Sequence, residues 1–180
     1  MTAEQHWTAD DTRRATRSLV ITGLMLGVGL MAALDTVLFH QILQWHNFYV
    51  HADDYWRIAS DGLLHFATTT LLFLGALRLW DDRRLLRGTE HGRAFAGVIV
   101  FGMGAFQLFD GVVDHLILRL HPVREGVETT LPYDLAWNAA AGGLLLVGAW
   151  LWRSAQPAVR SRAEPDRDRV LESGPRQVKA

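Results

Sequence analysis

Four stretches of the chain contain no Asp, Glu, Lys or Arg: Ser18 to Leu34, Gly62 to Leu77, Ala94 to Phe109 and Leu135 to Trp152. Each runs 16 to 18 residues. A helix needs roughly 20 to cross a hydrocarbon core of about 30 Å, so a crossing helix must take in flanking polar residues. Segments such as LVITGLMLGVGLMAAL (Leu19 to Leu34) and NAAAGGLLLVGAWLW (Asn138 to Trp152) are apolar all round. A soluble four-helix bundle would instead show an apolar stripe and a charged face. The pattern therefore predicts an all-α fold, a bundle of four transmembrane helices over residues 18–153. Residues 1–17 form a leading segment, and residues 154–180, rich in Arg, Pro and Asp/Glu, bury too little to fold and are expected to be disordered.

Charge placement adds an orientation. Fifteen of the 18 Lys and Arg flank the ends of the spans that carry the two termini and the Asp81 to Gly92 link, while only Arg57, Arg119 and Arg124 lie at the other end. The positive-inside rule puts both termini in the cytoplasm and the Trp45 to Ser60 and His121 to Pro132 loops outside. The first span is long enough to stay as an anchor, and no small-residue cleavage site follows it, so a cleavable signal peptide is not expected. Trp7, Trp45, Trp56, Trp80, Trp150 and Trp152 fall near span ends, as an interfacial aromatic belt requires. The formal net charge of −1 carries no basic excess for nucleic acid. The absence of cysteine excludes disulfides and thiolate metal sites.

The chain also resembles itself. Spans one and three, offset by 75 residues, both read G-x-G-x5-D-x4-H-x5-H, from Gly27, Gly29, Asp35, His40 and His46 to Gly102, Gly104, Asp110, His115 and His121. Spans two and four overlay at an offset of 73, with Asp61 on Asp134 and Gly75 on Gly148, while His65 becomes Asn138. Two tandem helical hairpins in one orientation imply a pseudo-twofold axis along the membrane normal. Gly23-x3-Gly27 and Ala139-x3-Gly143 have the small-xxx-small form of close helix packing.

In an up-down bundle, nearly all the intramembrane polar residues meet at the outer end. Ionisable groups within a span are costly and usually face a bundle interior or a water-filled cavity. The candidate metal ligands are His40, His65 and His115 with Asp35, Asp61, Asp110 and Asp114; His46, His121, Gln107, Asp134 and Asn138 are placed around them. Asp35 and His40 are five apart, about 140° around an ideal α-helix, and reach one cavity only if it spans the helix edge. Imidazoles with carboxylates suit zinc, Cu(II), iron or manganese, and Met25, Met31 and Met103 lie too far from this end to favour Cu(I). Three neutral nitrogens, a carboxylate and an open position describe a catalytic type of metal site.

Plainer readings stand beside this one. The aspartates fit at headgroup level, and Asp61 and Asp134 near helix N-termini suit the macrodipole. The histidines fit as structural partners of the aspartates. A b-type haem on His40 and His115, a quinone site, or a proton relay are further alternatives, although the cytoplasmic halves of the spans offer no continuing polar path.

The motifs FHQILQWHNFY, DGLLH, DGVVDHLILRLHPVRE and PYDLAWN resemble the bacterial family of predicted membrane proteins catalogued as domain of unknown function 2243, over about Ser18 to Trp152. The resemblance implies a multi-pass protein of the bacterial cytoplasmic (inner) membrane with these His and Asp positions as signature features. It implies no established activity, and members of the family are associated with genes encoded near copper-delivery proteins for cytochrome oxidase assembly. The expected function is binding of a transition metal (Cu, Zn or Fe) near the outer face, as metalloenzyme or metal-handling protein. A redox protein with haem or quinone, or a non-catalytic oxidase assembly factor, is the alternative. The bilayer is the expected partner, with oxidase assembly proteins and a homo-oligomer left open.

Overall fold

The computed structural model describes residues 9–84 and 89–163. Among them are four long helices: α1 (Ala9–Asp35), α2 (Asp54–Asp82), α3 (Thr89–Phe109) and α4 (Leu131–Ala163), with no strand. Two π-helical segments, Thr36–Ile42 and Asp110–Ile117, continue α1 and α3. All four helices are long and apolar enough to cross a membrane, over Arg13–Ile42, Asp54–Asp82, His91–Ile117 and Leu131–Ala155. Each exceeds its charge-free stretch because a helix continues through flanking polar residues to cover the hydrocarbon core. α4 also runs past Trp152 into the expected tail; residues 164–180 of that tail lie outside the described residues.

The helices pack in the order α2–α1–α3–α4, with α1 against α3 at the centre. Burial follows that order: 44% and 39% of the apolar windows of spans one and three are buried, against 11% and 17% for spans two and four. The central crossing depends on missing side chains. A Cβ placed on Gly27 would lie 2.2 Å from the carbonyl oxygen of Ile99 and 3.0 Å from Cα of Gly102. One placed on Gly102 would meet the carbonyl oxygen of Leu24 at 3.1 Å and Cα of Gly27 at 3.2 Å. Backbone thus lies on backbone at this point, as small residues permit between membrane helices. The flanking contacts correspond in the same way: Gly29 receives Leu72 of α2, and Gly104 receives Leu144 and Leu145 of α4. The Ala139-x3-Gly143 pattern differs, because a Cβ on Gly143 would meet nothing within 4 Å. That stripe faces away from the other three helices.

At the end carrying the termini, α1 and α2 are joined by polar groups. The hydroxyls of Ser18 and Thr22 donate to the carboxylate of Asp82 at 2.8 to 2.9 Å, and Arg78 reaches both hydroxyls. At the opposite end the two loops are interlocked. The Val50 amide donates to the Leu120 carbonyl (3.1 Å) and the Glu125 amide to the Trp45 carbonyl (2.9 Å). His51 donates to the Arg119 carbonyl at 2.6 Å, and Asp53 caps α2 by accepting from the Trp56 amide. These two loop residues are thus structurally employed.

Candidate metal centre

The change from α- to π-helix builds the site. In the first π segment the Leu43 amide reaches back five residues to the Leu38 carbonyl at 2.8 Å; in the second, Leu118 reaches Val113 at 2.7 Å. Such a ladder widens each turn to roughly four and a half residues. A five-residue spacing then returns to nearly the same face, which an α-helix would not allow. Asp35 and His40, and likewise Asp110 and His115, are five apart. Their ion-pair distances are 3.3 Å (His40 Nε2 to Asp35 Oδ2) and 3.0 Å (His115 Nε2 to Asp110 Oδ2).

Two residues beyond each π segment stands a residue with left-handed backbone, Gln44 at φ 50° and Arg119 at φ 52°. Neither is glycine, and the left-handed region costs an L-residue roughly 1–2 kcal/mol. The turn folds the chain back so that His46 and His121 enter the cluster instead of leaving it. Both are 2% exposed. Their imidazoles stack across the central helix pair with centroids 4.5 Å apart and planes 9° from parallel. His40 lies 4.5 Å from His46, and His115 lies 4.6 Å from His121. The longer diagonals also match, at 6.0 Å for His40–His121 and 6.1 Å for His46–His115.

The cluster therefore consists of two corresponding triads, Asp35–His40–His46 and Asp110–His115–His121. In each, one ligand-type atom per residue lies within 4.8 Å of the others, and all six residues are buried. The Nε2 atoms of all four histidines, with Asp35 Oδ1 and Asp110 Oδ2, are buried without a hydrogen-bond partner. Burial, and after it the neighbouring imidazoles, pulls the pKa of His46 down to about 4 and that of His121 to about 2. Both rings are thus held neutral, the form that offers a lone pair to a metal.

Outer contacts orient the first triad. Asp61 accepts from His40 Nδ1 (2.8 Å), from the Phe48 amide (2.6 Å) and from Asn47 Nδ2 (2.7 Å). His46 Nδ1 donates to the Val123 carbonyl at 2.8 Å. In both rings the Nδ1 proton is committed, so the Nε2 lone pair is turned into the cluster, the arrangement usual around metal-bound histidine. Arg57 extends the network, donating through Nε to Asn47 at 3.0 Å and through its terminal nitrogens to Glu125. An open cleft of about 540 Å³ lies beside His40 and His46 and is walled by these groups.

The other residues expected at the site are placed as follows. His65 is exposed on α2 and does not join the cluster, although Asp61 one turn earlier is buried. α2 touches the core along a single narrow face, and a residue four positions on already leaves it. Asp61 stands behind His40, outside both triads. Asp114 is buried but belongs to neither triad. Gln107 is used in packing: it donates to the Trp137 carbonyl and accepts on its own carbonyl from the Trp137 indole, both at 3.1 Å. Asn138 donates to the backbone carbonyl of Asp134, and both are half-buried. His46 and His121, expected at the periphery, are full members of the triads. Asn47, Arg57, Glu125 and Trp137 were not expected; only their proximity in space reveals them.

Asp61→Ala is expected to weaken metal binding about 10–100-fold, because the His40 ring loses the carboxylate that fixes its tautomer. A competition titration against a chromophoric chelator measures the change.

A family profile described as "Predicted membrane protein (DUF2243)" matches residues 22–155. No curated protein and no solved structure matches the chain.

Proposed function

The chain belongs to that family of predicted membrane proteins, and from this premise we propose that its His/Asp cluster is a transition-metal site near the outer face of a bacterial cytoplasmic membrane. One observation carries the reading. Four imidazole Nε2 atoms and two carboxylate oxygens are buried together without hydrogen-bond partners. Each such orphan costs roughly 1–3 kcal/mol. A cation between them would satisfy all six at once, where the contacts inside the triads give His40 Nε2 and His115 Nε2 only ion-pair approaches to Asp35 and Asp110, at 3.3 and 3.0 Å.

The donor set narrows the metal. Each triad has two imidazoles and one carboxylate, the combination used by non-haem iron(II) sites with open positions; zinc and Cu(II) accept the same donors. The absence of cysteine in the chain argues against Cu(I). The paired geometry, with its matching ring distances, supports two ions per chain. It also supports descent from a duplicated hairpin, with an axis running between α1 and α3. A haem on His40 and His115 is disfavoured, because His46 and His121 fill the space where its plane would lie. The positive-inside asymmetry supports the exoplasmic placement and cytoplasmic termini. Catalysis, storage and delivery to a partner all begin from this binding step.

Purified full-length protein in detergent, analysed for metals after loading with Fe(II), Zn(II) or Cu(II), should carry close to two ions per chain. Protein that takes up none of the three would refute the reading.

A further inference from the structure

Within the metal-binding reading, on which this inference rests, we propose that the two triads are functionally unequal. The Asp35–His40–His46 metal exchanges a small water-borne ligand, and the Asp110–His115–His121 metal stays closed.

The imidazole geometry of the two halves agrees to within 0.1 Å between centroids, so the difference lies in what surrounds them. The first triad borders the 540 Å³ cleft, which is lined by His40 and His46 together with Asn47, Arg57, Asp61 and Glu125; no residue of the second triad lines it. Three of the corresponding positions in the second half are apolar, while Gln44 and Asp61 match the charged Arg119 and Asp134. Gln41 and Asn47 of the cleft match Leu116 and Pro122, and Gly62 matches Leu135. Leu116 and Leu135 are 51% and 63% exposed, and at this depth on a spanning helix such side chains face lipid. Water has a polar route to His40 and meets a hydrocarbon-facing surface beside His115.

The second triad is also packed from the side. Trp137, 6% exposed, sets its indole 5.8 Å from the His115 ring; the residue matching it in the first half is Leu64. The orienting contacts differ as well. His40 Nδ1 is held by Asp61, whereas His115 Nδ1 has no partner, although Asp134 stands at the matching sequence position. The network from Asp61 through Asn47 and Arg57 to Glu125 then links the cleft wall directly to the ligand His40. The cleft wall beside the open metal is polar, with Gln41 and Gln44 among its residues, which suits a compact water-borne ligand with lone pairs.

Cobalt(II) is a suitable probe because its visible bands report changes in coordination. Full-length protein loaded with Co(II) and titrated with azide should change about half of its cobalt absorbance. His121→Ala, retaining the first site, should keep the azide response at one cobalt per chain. His46→Ala, retaining the second, should be silent. Chelation of the unaltered protein by EDTA should proceed in two phases with rates at least about tenfold apart, a readout independent of how the variants fold. An azide response from all the cobalt, from none of it, or only from His46→Ala would overturn the proposal, as would single-phase chelation. Those results leave metal binding standing; failure of the unaltered protein to load cobalt, or any other transition metal, removes both readings.

Discussion

Replacing His46 and His121 together by alanine is expected to eliminate tight metal binding, while either replacement alone removes one of two ions. The two rings stack on each other across the α1–α3 pair, and each contributes an Nε2 without a hydrogen-bond partner to a different triad. Tetrahedral zinc sites bind with roughly 10–16 kcal/mol over four ligands, or about 2.5–4 kcal/mol per ligand. Loss of one imidazole from a three-residue set therefore weakens that ion by about two to three orders of magnitude. Elemental analysis after dialysis against a weak chelator should give two, one and zero ions in turn. Equal metal content in all four proteins would show that these histidines are not ligands. The identity of circular dichroism spectra across the set serves as the folding control.

The second large effect is expected far from any ligand. Gly27→Leu should abolish uptake at both sites and sharply reduce the yield of folded protein. The first carbon of the new side chain would lie 2.2 Å from a backbone oxygen of α3 and 3.0 Å from another backbone atom. Neither can rotate away, so the two central helices must separate. Overpacking of this kind costs typically 1–3 kcal/mol, and more where backbone is the obstacle. Both triads suffer together, because the His46–His121 stack and the interlocked loops bridge the same helix pair. Gly143→Leu provides the contrast, since its Cβ would meet nothing within 4 Å. Thermal unfolding in detergent should place Gly143→Leu within a few degrees of the parent and Gly27→Leu far below it. If the two variants melt alike, the crossing does not depend on glycine.

The contrast between these glycines shows where reading along the chain stops. Both belong to small-xxx-small patterns of equal quality, yet one lies against a neighbouring backbone and the other faces outward. The pattern records that a close approach is permitted, and only the partner helix decides whether it is used. His65 fails for a related reason. It shares a helical face with buried Asp61, but α2 is a flanking helix with a narrow contact face. A closed ring of four helices would have turned more of α2 inward than the observed α2–α1–α3–α4 order does.

Asp35 and His40 illustrate the opposite situation. Their five-residue spacing argued against a shared face on an α-helix, and the same spacing in both halves was visible as D-x4-H. A π-helical turn gives that spacing its meaning, and it was the signal available for finding the distortion. The left-handed turns at Gln44 and Arg119 left no comparable trace, because neither position holds the glycine that usually marks such a backbone. His46 and His121 were therefore expected beyond the helix ends.

Sequence alone determined the four apolar spans, the membrane as their solvent, and the inventory of imidazoles and carboxylates gathered at one end. Hydrophobic length and charge distribution are one-dimensional quantities, and bilayer thickness reads them directly. The division of those groups into two facing triads, and the cleft beside His40 and His46, were decided by tertiary structure. Both depend on how closely α1 and α3 approach and on two loops that lock across each other, contacts between residues about 75 positions apart in the chain.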